Sequence, residues 1–358
     1  MKIEIVTIHR LNNFGSAFQA MALYEYIDKL GYDVELLDYD PPYYKGRELK
    51  NYISRIVFFS TIKRRTQKFD RFIEEHTKLS IKRYHSYKEI NEAYPEADLY
   101  IAGGDQLWNY HHICGNDDVY KLWFYKGKKI SYGTSMGGDR FSKEQLCDLK
   151  EKVAGFESIA LREKQSLDIF KDLGLKATWV VDPVMLLPVK RYEELMKDPN
   201  EKSPYVFVYL VAHSEFLEKA VEYLSKICGL KVIVYSGLGH KCKCDEQKRE
   251  LGPEEVIGYI KNAEFVLSSS FHATVFSILF KKKFSVILPG ETTNQRLYDL
   301  LSWTGLEDTM IQNMEQLEEL YKRENWYTEE LSKTIKGRIQ SSEDYLKTAI
   351  ESALRNES

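Results

Sequence analysis

Residues 2–39 read KIEIVTIHRLNNFGSAFQAMALYEYIDKLGYDVELLDY. Lys2–Ile8 is short and rich in β-branched residues, the composition of a buried strand. Ser16–Leu30 carries Phe18, Ala22, Tyr26 and Leu30 along one helical face, and Gly31 supplies a stop. Val34–Tyr39 is a second apolar run. Strand, helix and strand within about forty residues make a βαβ unit, so the sheet is expected to be parallel.

The same grammar continues outward. Strands are expected at Asp98–Ala102, Lys129–Ser135, Ser158–Leu161 and Thr178–Val181, with helices at Ser142–Phe156 and Glu163–Leu173. Pro188–Pro204 is polar and contains Pro199, Asn200 and Ser203, which marks a linker. The pattern then restarts with strands at Tyr205–Val211, Lys231–Tyr235, Phe265–Ser268 and Phe284–Ile287. Helices at Glu215–Cys228, Pro253–Lys261, Phe271–Phe280, Asn294–Trp303 and Met314–Lys322 alternate with them, and Thr328–Arg355 closes the chain as a long amphipathic helix. The reading is two α/β domains, residues 1–190 and 203–330, followed by a helix over 331–358 that packs back on the first domain. A ligand cleft is expected between them, because open parallel sheets bind ligands beyond their strand carboxyl ends.

Composition narrows the function. The 358 residues hold 51 Lys plus Arg against 54 Asp plus Glu, a net charge of −3, which argues against broad nucleic-acid binding. The longest apolar stretch, Ala273–Phe280, is far short of a membrane span. Lys2 and Glu4 interrupt the first apolar run, so a secretory leader is not expected and the chain reads as soluble and cytoplasmic. The basic stretch Arg55–His76 leaves peripheral contact with an anionic membrane open. Five scattered cysteines make no disulfide framework; Cys242-Lys-Cys244 beside His240 lacks the partners of a tetrahedral metal site, so no metal and no cofactor is expected.

Each segment with chemistry lies where a strand gives way to a helix, where free N–H groups favour an anion. The first is Asn12-Asn13-Phe14-Gly15-Ser16 with Gln19, where Gly15 allows a tight turn and Ser16 can cap. The second is Gly103-Gly104-Asp105-Gln106-Leu107-Trp108-Asn109: Asp105, Gln106 and Asn109 suit a hydroxyl-rich ligand, and Trp108 can stack on a sugar. Ser131–Gly138 is small, hydroxyl-rich and fits a cleft wall. Arg162 opens the next helix, a position that opposes the dipole unless an anion or carboxylate is near; an ion pair with Glu163 or Asp182 is the plainer reading. In Ser268-Ser269-Ser270-Phe271-His272, a histidine sits in the first turn of a helix beside three hydroxyls, where it can trade a proton. Lys281-Lys282-Lys283 and Arg296 are weaker anion candidates.

In series these segments resemble the polysaccharide pyruvyl transferases. Asn13-Phe14-Gly15 with Gln19, Gly103–Asn109, Ser131-Tyr132-Gly133-Thr134-Ser135, Arg162-Glu163-Lys164-Gln165-Ser166, Asp182-Pro183 and Ser270-Phe271-His272-Ala273-Thr274 follow the family's order. Gly104, Gly133 and Ala273 depart from it by small-for-small exchange. The resemblance implies two Rossmann-like domains facing across a cleft, as in GT-B glycosyltransferases. It implies phosphoenolpyruvate as donor, a glycan or lipid-linked glycan as acceptor, and a pyruvate ketal plus phosphate as products. His272 and Arg162 are then the catalytic pair. Ser269, Ser270, Lys281 and Arg296 are expected around the donor. Asn13, Gly15, Ser16, Gln19, Gly103, Gly104, Asp105, Gln106 and Asn109 are expected towards the acceptor. Two alternatives stand beside this one. A nucleotide-sugar glycosyltransferase of the same fold often uses second-domain glutamates, yet no acidic residue lies between Val266 and Pro289. A non-catalytic glycan-binding protein would lose no rate with His272.

Overall fold

The computed structural model describes residues 1–44, 58–138, 140–210, 215–236, 243–288 and 295–355. In the first half, β1 (Lys2–Val6), β2 (Asp33–Leu36), β3 (Leu99–Gly103) and β4 (Lys129–Tyr132) form a parallel sheet in the order β2-β1-β3-β4. Ile3 pairs with both Val34 and Leu99. Parallel bridges at Ile130–Ser158 and Thr134–Leu161 extend the sheet to β5 (Ala160–Leu161), which pairs with β6 (Thr178–Trp179). In the second half, β7 (Tyr205–Leu210), β8 (Lys231–Ser236), β9 (Glu246–Lys248), β10 (Phe265–Ser268) and β11 (Phe284–Val286) form a parallel sheet in the order β11-β10-β7-β8-β9. The architecture is two Rossmann-like domains, as the sequence predicts.

Strand order positions the site. Between β1 and β3, and again between β7 and β10, the chain changes direction across the sheet, leaving a crevice at the strand ends. The Asn13–Gly15 and Gly103–Asn109 loops follow β1 and β3. The Ser268–His272 turn follows β10. Both sheets are buried on two faces: Tyr205, Phe207 and Tyr209 of β7 point to one core cluster, Val206 and Val208 to another.

The two halves meet along a packed seam. Helix Phe14–Lys29 is buried over most of its circumference. Its Phe14 ring lies 5.1 Å from Tyr209 and 5.9 Å from Phe276, and Phe18 lies 5.1 Å from Phe276. A single apolar cluster therefore runs through both domains, and the expected cleft is narrow here. Helix Phe59–His76 straddles the seam. Arg10, itself bound to both oxygens of Asp38, holds the helix through Asp70 at 3.0 Å. Towards the second domain, Arg64 bonds Glu250 and Lys68 bonds Glu255. Part of the basic charge read as a membrane surface is thus paired within the molecule, while Lys63, Arg64 and Arg71 stay exposed; residues 55–57 of that stretch lie outside the described residues.

Other differences are local. The stretch 188–204 is not a bare linker, since Val189–Leu195 is helical and buries Tyr192. Strand β9, sequence Glu-Gln-Lys, has no apolar pattern to reveal it; it is a sheet edge, where charge is favoured. Trp108 is fully buried, stacks on Phe170 and donates to Tyr120 O, so it is core and not a sugar platform. Helix Glu329–Arg355 returns to the first domain, where Ser342 Oγ accepts from Val181 N. Among the described residues no helix can cross a membrane and no side-chain cluster can hold a metal; His240 and Cys242 lie outside them.

Candidate functional site

The site is built around Asp182. This residue follows β6 and is 2% exposed. Its Oδ2 accepts from Arg162 Nη1 at 2.6 Å and lies 3.4 Å from His272 Nε2. Its Oδ1 caps the short helix Pro183–Leu186 through Val184 N. Arg162 comes from the end of β5, and His272 from the first turn of helix Phe271–Leu279 in the other domain. One carboxylate therefore joins the two candidate catalytic groups across the seam. Burial alone would raise its pKa; the His272 and Arg162 charges hold it well below the usual carboxylate range. Burial would lower that of Arg162, but Asp182 and Glu163 raise it.

The remaining contacts of Arg162 fix its plane. Its Nε donates to Glu163 Oε1 at 3.2 Å, and its Cζ stands 4.3 Å from the centre of the Phe271 ring. Arg296, in the first turn of helix Gln295–Thr304, stands 5.9 Å from the same ring. Two donors compete for the side-chain oxygen of Gln106: the Asn109 amide, and Arg296 Nη1 and Nη2 at 3.2 and 3.3 Å. Charge favours the guanidinium. Arg162, His272 and Arg296 are thus gathered around Phe271 and Asp182, while Arg162 and His272 are only 4% and 5% exposed. A cavity of about 10 Å³, room for one water, adjoins them.

The two loops of the first domain interlock beside this centre. Asn13, not Ser16, caps helix Phe14–Lys29, accepting from Gly15 N and Ser16 N. Ser16 Oγ instead donates to Asp105 Oδ2 at 2.5 Å. Gln19 is buried and donates to Thr7 Oγ1, Ile8 O and Ser16 O, which ends β1 two residues before the predicted limit. Gly103 closes β3 against Leu23. Gly104 and Asp105 both have positive φ, 57° and 52°. A non-glycine residue held there costs about 1–2 kcal/mol, and asparagine and aspartate bear it best. Asn109 is buried and lies against Gly137. These side chains mostly bond one another in this closed state.

In the second domain, Ser270 caps its helix by accepting from Ala273 N, and Ser268 Oγ accepts from Ser270 N. Ser269 is 5% exposed beside them. Lys281 is not brought to the site. Helix Phe271–Leu279 starts at the cleft and carries the chain away by about 1.5 Å per residue, and Lys281 Nζ stands over Tyr327 instead. Sequence reasoning missed Asp182 as the hub, naming it as a partner for Arg162 and as part of the Asp182-Pro183 pair. It also missed Asp299, which accepts Lys164 N across the seam at 3.1 Å.

Gly15 of the first domain packs directly against the His272 ring. A Cβ at this position would collide with the imidazole. Gly15→Ala is expected to displace the ring, lowering stability by about 1–3 kcal/mol, the usual cost of overpacking, and activity at least about tenfold, since small misplacements are costly. Urea unfolding and initial rates check both effects.

Asp299 gives a pH dependence. Burial raises its carboxyl to about 6, against the lowering effect of Lys164 N–H. The folded state binds this proton more tightly than the unfolded chain, so stability is lost as pH rises from about 4 through 6. Asp299→Asn is expected to be about 1–3 kcal/mol more stable than wild type at pH 8 and to lose that advantage at pH 4. Urea titrations at the two pH values measure it.

The fold has solved counterparts. A putative UDP-N-acetylglucosamine 2-epimerase from Listeria monocytogenes superposes with a TM-score of 0.59 at 11% identity, covering 100% of this chain and 97% of that one. The UDP-GlcNAc 2-epimerase of Neisseria meningitidis, solved bound to UDP-GlcNAc, gives 0.57 at 12% identity, covering 98% and 100%. The S. aureus MnaA–UDP structure gives 0.57 at 10% identity, covering 99% and 96%. At such identities they establish the GT-B-like fold alone. No curated protein sequence matches the chain. The family model for polysaccharide pyruvyl transferase matches residues 13–290, a span that includes the Asn13 loop, the Asp105 loop, Arg162, Asp182 and His272. The chain belongs to the polysaccharide pyruvyl transferase family.

Proposed function

We propose that the protein transfers a pyruvyl group from phosphoenolpyruvate to two hydroxyls of a glycan or glycan precursor, forming a pyruvate ketal and releasing phosphate. The observation that carries this reading is the grip of Asp182 on both Arg162 and His272. The donor is a small double anion that must be protonated at carbon, and it needs a fixed cation beside a proton carrier. His272 gives a proton to the methylene carbon, leaving an oxocarbenium-like centre. A sugar hydroxyl attacks that carbon and returns its proton to His272. The carbon–oxygen bond to phosphate then breaks with its electron pair on the phosphate. The second hydroxyl closes the ring, and its proton leaves with inorganic phosphate.

Asp182 holds the imidazole in orientation and steadies its charged form. Donor binding parts the Gly15–His272 contact, and the freed Asp105, Gln106 and Asn109 groups face the acceptor. The N–H groups behind Ser269 and Ser270 offer a second anion position. The test is to incubate the protein with phosphoenolpyruvate and a panel of hexose and N-acetylhexosamine glycans. Phosphate release should depend on the glycan, and the product should carry a ketal methyl signal by NMR. Consumption of a nucleotide sugar with phosphoenolpyruvate left intact would reject this function.

A further inference from the structure

Among the described residues three buried nitrogens of the site have no hydrogen-bond partner: His272 Nε2, which stands 3.4 Å from Asp182 Oδ2, and, on the two arginines, Arg162 Nη2 and Arg296 Nε. Both arginines line the same small cavity, together with Glu163, Asp182, Asp299 and Phe271. The other two nitrogens of each guanidinium each make a contact. Arg162 gives Nε to Glu163 and Nη1 to Asp182. With the Gln106 amide turned so that its oxygen faces Arg296, Nη1 and Nη2 of Arg296 donate to it. What remains on each arginine is a donor sealed from water, which costs free energy until an acceptor arrives. Burial and the nearby Arg162 charge also lower Arg296 to about 10, so an anion between the two relieves a like-charge contact.

We propose that Arg162 and Arg296 together form the phosphoryl subsite of the donor, with the Phe271 ring as the wall that spaces them. This rests on the donor reading above. Of the donor's two anionic ends, the phosphoryl group bears more charge and more acceptor positions, and so fits two guanidiniums. It also gains charge as its bond to carbon breaks, and donors already aimed at it stabilise that change. The carboxylate is left to the Ser269–Ser270 turn. The cavity admits phosphate only by widening. Arg296, Asp299, Leu300 and Trp303, which form one of its walls, all belong to helix Gln295–Thr304, so that helix moves. Through Gln106, Arg296 links an occupied phosphoryl subsite to the acceptor loop.

Calorimetric titration separates the two ends. Phosphoenolpyruvate, inorganic phosphate and pyruvate are titrated into wild type, Arg296→Ala, Arg296→Gln and Arg296→Lys, with thermal unfolding run on each. Loss of the guanidinium is expected to weaken phosphate and phosphoenolpyruvate by about 10- to 100-fold and to leave pyruvate unchanged. Lysine should recover part of the loss. Phosphate affinity within about twofold of wild type in a folded Arg296→Ala or Arg296→Gln protein overturns the subsite alone, as does a loss confined to pyruvate. Wild-type protein that takes neither phosphoenolpyruvate nor phosphate overturns the donor reading and the subsite with it.

Discussion

His272→Ala is expected to lower turnover by about 10²- to 10⁴-fold, the range for a residue that moves a proton in the rate-determining step. The imidazole stands at the only point where the helix of the second domain, the Gly15 turn of the first and Asp182 all meet. Donor binding should survive, because Arg162 keeps its bonds to Asp182 and Glu163. His272→Gln keeps a polar group of similar reach without the acid–base chemistry and should be as slow. Phosphate release in a single turnover, with donor affinity measured in parallel, distinguishes the two effects. A variant that retains a rate within about threefold of wild type removes His272 from the mechanism, whereas a binding protein that keeps the fold would show no turnover even as wild type.

Asp182→Asn is expected to cost about 3–5 kcal/mol of folding stability, the usual result of breaking a buried ion pair on one side only. Arg162 would keep Glu163 but lose its shortest contact, and His272 would lose its only charged partner among the described residues. The pH sign follows. A carboxylate held below its unfolded value stabilises the fold at pH above that unfolded value, about 4, and the stability fades as pH falls from there towards the lower folded value. The variant should therefore lose less on acidification than wild type. Turnover should fall as well, since the imidazole is no longer oriented. Urea unfolding at pH 7 and about pH 3 measures the stability effects; a loss under about 1 kcal/mol at pH 7 would mean Asp182 is not the hub.

Local pattern made much of this fold legible. The apolar runs that begin at Lys2 and Tyr205 form strands, over Lys2–Val6 and Tyr205–Leu210, because β-branched and aromatic residues suit a sheet covered on both faces. The loops with Gly15, Asp105 and His272 were placed at strand ends by the same pattern, and they lie at the crossover points of the two sheets. Polar strand β9 and the short helix Val189–Leu195 were hidden, since neither has an apolar repeat long enough to stand out.

Side-chain direction was not legible where no period operates. Trp108 sits in a loop of polar residues, and nothing local says that it turns into the core. Lys281 follows His272 closely in the chain, but a helix separates the two in space. Asn13 and Ser16 are both good caps, and the contest was decided by Asp105, which claims Ser16 from the loop after the neighbouring strand β3.

The chain by itself determined the order of strands and helices, the parallel sheets and the family, because each depends on neighbours within a few residues or on motifs in sequence. Tertiary structure alone decided that Arg162 and His272 share Asp182, that Arg296 has a donor unpaired among the described residues beside them, and that the seam is closed. Those facts are sums of charge and contact between segments far apart in the chain, and such sums exist only once both domains have packed.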